Sequence, residues 1–167
     1  SLSVSKEVFY HHIQTFKGAH KRLELVDENQ HTSVFKDFAH SPSKLKATSS
    51  AVKKQFKTRR LVACMELHTF SSLNEEFLKE YAHTMDLPDE AYVYFNPATI
   101  AHKKLTPITV NKIIKSFKRS DLKVFTNTNS LIVELKRKNW NNSNLLLMSS
   151  GDFDGIDLNS LASELLQ

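Results

Sequence analysis

Leu61-Val62-Ala63-Cys64-Met65-Glu66-Leu67 is the stretch that decides the fold. It opens on five consecutive apolar residues and does not alternate, as a strand buried on both faces does not. Residues 91–95 and 145–148 repeat the pattern, and residues 123–126 form a shorter version of it. Between and after these strands lie stretches with helical spacing at 43–56, 74–85, 109–118, 128–140 and 158–166. Ser43 is the expected cap of the first of these, since Pro42 forbids an earlier start. Short strands apolar throughout, alternating with amphipathic helices, imply a parallel sheet covered on both faces.

Further upstream the pattern changes. Residues 22–26 and 33–38 read as two strands joined by the polar turn Asp27-Glu28-Asn29-Gln30, an antiparallel hairpin at the edge of the sheet. Residues 4–16 read as a helix with Val8, Phe9, His12, Ile13 and Phe16 on one face. The longest irregular connection, residues 97–107, carries His102, Lys103 and Lys104. The expectation is one α/β domain over residues 1–167. It would be a Rossmann-like three-layer sandwich whose mostly parallel sheet has about six strands and an antiparallel edge hairpin.

Composition narrows the class. The chain has 167 residues, of which 40% are hydrophobic and 25% charged, an ordinary globular mix. A chain of this length buries about 70% of the surface its unfolded form exposes. No apolar run approaches the ~20 residues that span a bilayer, so no membrane span is expected. The single cysteine, Cys64, can form no internal disulfide, which suits a reducing compartment such as the cytoplasm. Its setting in an apolar run favours packing over chemistry. The net charge of +5 is carried by dispersed lysines, among them Lys44, Lys53, Lys112 and Lys115, on stretches that read as the solvated faces of helices. Nucleic acid is therefore not the expected partner. Gly18, Gly151 and Gly155 are the only glycines, so the chain builds neither a phosphate loop nor a dinucleotide fingerprint.

In an open parallel sheet ligands gather at the carboxyl ends of the strands. Here those ends read Asp37-Phe38-Ala39-His40, Glu66-Leu67-His68-Thr69, Phe95-Asn96, Thr126-Asn127 and Ser149-Ser150-Gly151-Asp152. Three segments can carry chemistry. Around Lys21-Arg22-Leu23-Glu24 a guanidinium can fork onto phosphate oxygens, or simply pair with a carboxylate in a surface turn. In Asp37-Phe38-Ala39-His40-Ser41-Pro42 the carboxylate can accept ribose hydroxyls, and the imidazole can pack on a base or reach a phosphate. The plainer alternative is a helix cap beside a solvated histidine. In Ser150-Gly151-Asp152-Phe153-Asp154-Gly155-Ile156, small residues can turn backbone N–H groups toward a ligand, or can merely make a tight turn.

Taken in order, these three segments resemble the C-terminal domain of the Mur ligases, and the resemblance runs from about Val4 to Leu166. It implies one of three domains of an ATP-dependent ligase, with Mg2+ and ATP held mainly by a central domain that, like the UDP-binding domain, precedes this one in the same polypeptide. The family activates a muramoyl carboxylate as an acyl phosphate, which an amine then attacks. By resemblance Arg22 contacts the ATP phosphates, Asp37 the ribose and His40 the region of the adenine. Ser150, Gly151 and Asp152 border the pocket for the amino substrate. The glycine-containing last segment favours the branch that joins a whole stem tripeptide to UDP-N-acetylmuramate in cell-wall recycling over the branch that adds L-alanine.

Two departures stand out. Ser41 occupies a place where the family often has a second histidine. Glu66-Leu67-His68-Thr69-Phe70-Ser71-Ser72 lacks the arginine that relatives commonly place near the substrate carboxylates. Anchoring then falls to His68, Ser71 or another loop, through Lys103 or Lys104. The alternatives to a ligase domain are a stand-alone nucleotide- or nucleic-acid-binding module, which needs exposed aromatic stacking positions that are not apparent in this sequence, and a receiver-like domain, for which no acidic cluster follows the first strand.

Overall fold

The computed structural model describes residues 23–167. The helix read at 4–16 and the candidate phosphate contact Arg22 lie outside the described residues.

Six strands form one sheet: β1 (Glu24–Glu28), β2 (Thr32–Asp37), β3 (Arg60–Glu66), β4 (Glu90–Tyr94), β5 (Lys123–Phe125) and β6 (Ser143–Met148). Their order across the sheet is β1-β2-β6-β3-β4-β5. β1 pairs antiparallel with β2, with a bulge between Leu25 and Asp27, and every other pairing is parallel. The architecture is the expected one: α/β, mostly parallel, with an antiparallel edge pair.

The two layers over the sheet explain the unbroken apolar runs. Along β3, Leu61, Ala63 and Met65 face one layer while Val62 and Cys64 face the other. Along β6, Leu146 and Met148 oppose Leu145 and Leu147 in the same way. The first layer holds α1 (Pro42–Gln55), the short α2 (Glu75–Leu78) with its 3-10 turn Lys79–Tyr81, α3 (Pro97–His102) and α4 (Val110–Phe117). The second holds α5 (Thr128–Lys136), Trp140 and α6 (Leu158–Leu165). A side chain buried in either layer contributes about 1.5–3 kcal/mol. Cys64 is fully buried, and burial pushes its thiol pKa up, so it packs as a small hydrophobe.

Three local expectations change. α1 starts at Pro42 with Ser41, not Ser43, in the cap position. Proline has no N–H to lose in a first turn, and its fixed φ suits it there. The stretch expected as one helix over 74–85 stops at Tyr81, because His83 turns left-handed (φ 61°) and donates its N–H to the Phe117 carbonyl. Inside the connection read as irregular, Asn96 caps α3 by accepting from the Ala98 N–H at 2.8 Å, with Pro97 in the first turn. Asparagine followed by proline is a start signal that the apolar pattern, one buried residue in six, did not raise.

The amino ends of the strands are locked by polar side chains. Arg59 donates to the Ser33 hydroxyl, the Asn144 side-chain oxygen and the Gln30 carbonyl. Glu90 accepts from Lys138 at 2.6 Å through both oxygens, and from Arg60 at 2.7 Å and Tyr92 at 3.0 Å. Burial pushes the Glu90 pKa up, but these hydrogen bonds and the charges of Lys138 and Arg60 outweigh it and hold the carboxyl below its ordinary 4.5. A carboxylate with a depressed folded-state pKa stabilises above its unfolded pKa, and that stability is lost as pH falls through the folded value. Glu90→Gln is therefore expected to cost about 1–2 kcal/mol at pH 7. In urea unfolding followed across pH, the gap to wild type should begin to narrow as pH falls below the ordinary 4.5 and close once the folded carboxyl protonates.

Candidate functional site

The crossovers converge at the carboxyl ends of β2, β6 and β3, where the loop after β6 lies between the other two strand ends. A buried carboxylate organises this crevice. Glu66, last residue of β3 and 3% exposed, accepts from the Phe153 N–H at 2.9 Å and from the Ser149 hydroxyl. Ser149 also accepts from the Gly151 N–H at 2.6 Å, and its own N–H donates to the Asp37 carbonyl at 3.0 Å. Glu66 thus binds the end of β3 to the loop after β6, and Ser149 binds that loop to the end of β2.

The loop carries backbone strain. Phe153, Asp154 and Gly155 are consecutive left-handed residues, with φ of 53°, 63° and 81°. Glycine adopts this freely, but a phenylalanine there is costly and persists only where its surroundings over-determine it. The Glu66 hydrogen bond and the burial of the Phe153 ring provide that support. Gly151 has a different reason to lack a side chain. A Cβ there would lie 2.8 Å from Glu66 Oε2 and 2.9 Å from His68 Nδ1.

The expected site residues divide among three positions. Asp37, Ser150, Gly151 and Asp152, read from the sequence as two separate groups, line one cleft of about 240 Å³ together with Phe38 and Leu147. The Asp37 carboxylate accepts from the Leu23 N–H at 2.5 Å and more loosely from the Thr48 hydroxyl at 3.3 Å. The Ser150 hydroxyl is buried and has no hydrogen-bond partner among the described residues, which marks a group with capacity for a ligand. His40 stands beside this cleft. Its Nδ1 is 2.9 Å from the Phe38 carbonyl, and its ring meets the Phe38 ring edge-on at 4.9 Å. The Tyr81 hydroxyl donates to the His40 carbonyl, fixing the turn.

His68 lies on the far side of Gly151, with Nδ1 3.5 Å from Glu66 Oε1. Ser71 is exposed in the following turn, while Ser72 is the buried serine and bonds Thr69. A second cleft, about 520 Å³, opens at the ends of β4 and β5 between α5 and α6. Asn96, Thr126, Asn127 and Thr128 line it, with Asp154 and Gly155 from the same loop. Tyr94 borders it, and burial raises its pKa, aided by the carboxylates of Asp154, Glu66 and Asp152 and opposed by the hydrogen bond with Thr128.

Sequence reasoning placed Glu66 in a strand-end cluster but not among the site residues. The available signal was an acid inside a run otherwise buried and apolar.

Comparison with known proteins extends this picture. A family model described as Mur ligase, glutamate ligase domain, matches residues 21–151. The UDP-N-acetylmuramate–L-alanine ligase of Sulfurihydrogenibium sp. is 41% identical over 88 residues, which are 53% of this chain and 19% of that protein. The chain therefore spans about one fifth of the length of this relative. Among solved structures, a murein peptide ligase from Psychrobacter arcticus superposes with a TM-score of 0.69 at 22% identity, over 92% of this chain and 31% of the other. The UDP-N-acetylmuramate–alanine ligase of Thermotoga maritima gives 0.63 at 18% identity, over 86% and 30%. These two share the fold.

The crowding at Gly151 predicts that Gly151→Ala forces the loop away from Glu66. A loss of about 1–3 kcal/mol in thermal or denaturant unfolding is expected, with faster amide exchange at Phe153. Unchanged exchange there would separate the loop from its Glu66 anchor.

Proposed function

Since the family model covers most of the chain, this protein belongs to the Mur ligase family, and we propose that it is the C-terminal domain of an ATP-dependent ligase joining UDP-N-acetylmuramate to the tripeptide L-Ala-γ-D-Glu-meso-diaminopimelate in cell-wall recycling. The observation that carries this reading is the shared wall between the two clefts. Residues 149–153 line the smaller one and residues 154–157 the larger one, so a ligand can extend from one to the other over a single loop. L-alanine has six heavy atoms and would leave most of the larger cleft empty. A tripeptide with several charged groups suits its length and its polar lining.

In this reading the chain positions substrates and makes no covalent step of its own. ATP, when bound, supplies the phosphoryl group that activates the muramoyl carboxylate. The residues at the smaller cleft fit a nucleoside at its edge. Asp37 keeps acceptor capacity on the oxygen that Thr48 holds loosely, and Phe38 with His40 offers an exposed aromatic edge. Arg22 would add charge for the phosphates. By the resemblance His68, Ser71, Ser150, Gly151 and Asp152 would border the path of the incoming amine toward the larger cleft, which residues 154–157 line. No described loop cradles a triphosphate, so ATP and its Mg2+ are held mainly by preceding domains of the same polypeptide, working in the cytoplasm.

One observation favours a second reading, an L-alanine-adding enzyme: the 41% identity to a protein of that name. ADP release by the full-length protein with UDP-N-acetylmuramate separates the two. The tripeptide alone should support turnover, and turnover with L-alanine would move the protein to the biosynthetic branch. The isolated chain should hold ATP weakly, and a low-micromolar affinity in isothermal titration would contradict the division of labour between domains.

A further inference from the structure

The lysines that read as dispersed along the sequence do not all stay dispersed in the fold. Lys112, Lys115 and Lys118 recur at every third residue of α4 and its C-cap, and the 3-10 turn brings Lys79 to the same place. With Ser116 they line a surface depression of about 190 Å³, and among the described residues no carboxylate lines it. These like charges converge because the elements that carry them are packed together. The Tyr81 and Phe117 rings stack at 5.2 Å, and the His83 N–H donates to the Phe117 carbonyl at 3.1 Å. α4 leads to the amino end of β5, and Arg119, next after Lys118, donates to the Pro88 carbonyl at 2.8 Å just before β4. The depression therefore lies on the helical layer toward the amino ends of the strands, away from both clefts.

Two of the four ammoniums have partners, and those partners stand outside the depression. Glu76 meets Lys79 at 2.6 Å and Glu75 meets Lys112, both in exposed pairs. An exposed ion pair is worth little, so an anion can draw either lysine away from it. Among the described residues no carboxylate pairs with Lys115 or Lys118. Ser116 is only 8% exposed, and its hydroxyl has no hydrogen-bond partner among the described residues. A hydroxyl so placed ordinarily has one, and here it is a donor at the floor of the opening. Drug-sized molecules occupy pockets of about 300–1,000 Å³, so this smaller one suits a compact ligand. We propose that the depression binds a phosphate-type dianion, either free or as the terminal phosphoryl group of a small metabolite. The lysines neutralise it as point charges, and Ser116 donates a charge-assisted hydrogen bond to it. The site is separate from the ligase reading and does not depend on it.

The test uses the full-length protein at constant ionic strength, with chloride exchanged stepwise for inorganic phosphate or for glycerol phosphate. Lysine acylation, read residue by residue by mass spectrometry, reports this site and not a phosphate held elsewhere. At about ten times the half-saturating concentration, protection of Lys115 and Lys118 should approach about tenfold, as one-site occupancy requires. Lys46, exposed on α1, should gain no protection. Ser116→Ala should raise the half-saturating concentration about tenfold, the range of a lost hydrogen bond to a charged group, while unfolding in chloride stays unchanged. Lys118→Gln should remove most of the protection of Lys115. Protection by both probes would show that the site accepts a carried phosphoryl group, and protection by phosphate alone that it takes the free ion. Protection of Lys115 no greater than that of Lys46, or a half-saturating concentration unmoved by Ser116→Ala, would overturn the site and leave the ligase reading standing.

Discussion

A carboxylate buried at the end of an apolar strand must be met by donors, because an unpaired charge in that position costs several kcal/mol. Glu66 imposes this demand, and the loop after β6 answers it with the Phe153 N–H and the Ser149 hydroxyl. Much else follows from the arrangement. The loop can hold three consecutive left-handed residues because one of them is pinned to Glu66. Gly151 must lack a side chain because the carboxylate and the His68 ring occupy the space. The two clefts share a wall because a single anchored loop lines both.

The two ends of the sheet divide the work. At the amino ends, Arg60 and Lys138 satisfy Glu90, and Arg59 ties Ser33 to Asn144, closing the strand ends together. At the carboxyl ends, among the described residues, polar groups are left with capacity: a buried Ser150 hydroxyl with no partner, and a Lys103 ammonium that rests on the Phe70 ring without an acid beside it. Stability gathered at one end lets the other keep polar groups free to meet a ligand. This is the distribution expected of an open parallel sheet, where the strand bodies set positions and the loops after them set chemistry.

The fold alone does not single out one amine. The fold is shared with ligases acting on different amines, as the superposition on both a murein peptide ligase and an alanine ligase indicates. On the proposed reading, the choice of amine falls to loop side chains beyond the strand ends and not to the sheet itself. A fold of this kind carries many specificities because substituting a loop residue leaves both apolar layers untouched.

The sequence by itself determined the class of fold, the antiparallel hairpin and the runs that became β3, β4 and β6. Burial on both faces leaves no polar position to interrupt such a strand, so the constraint is written locally. It also determined that Asp37, His40, Ser150, Gly151 and Asp152 would sit at strand ends. Only the tertiary structure decided the order of the strands, since pairing between β2 and β6 links Asp37 to Met148 across most of the chain. That order placed Asp37 and Ser150 in one cleft instead of two, and set Glu66 against a loop more than eighty residues away. The same holds for Lys103 and Phe70. Nothing in either segment indicates the other, because a contact between two loops depends on the sheet that spaces them.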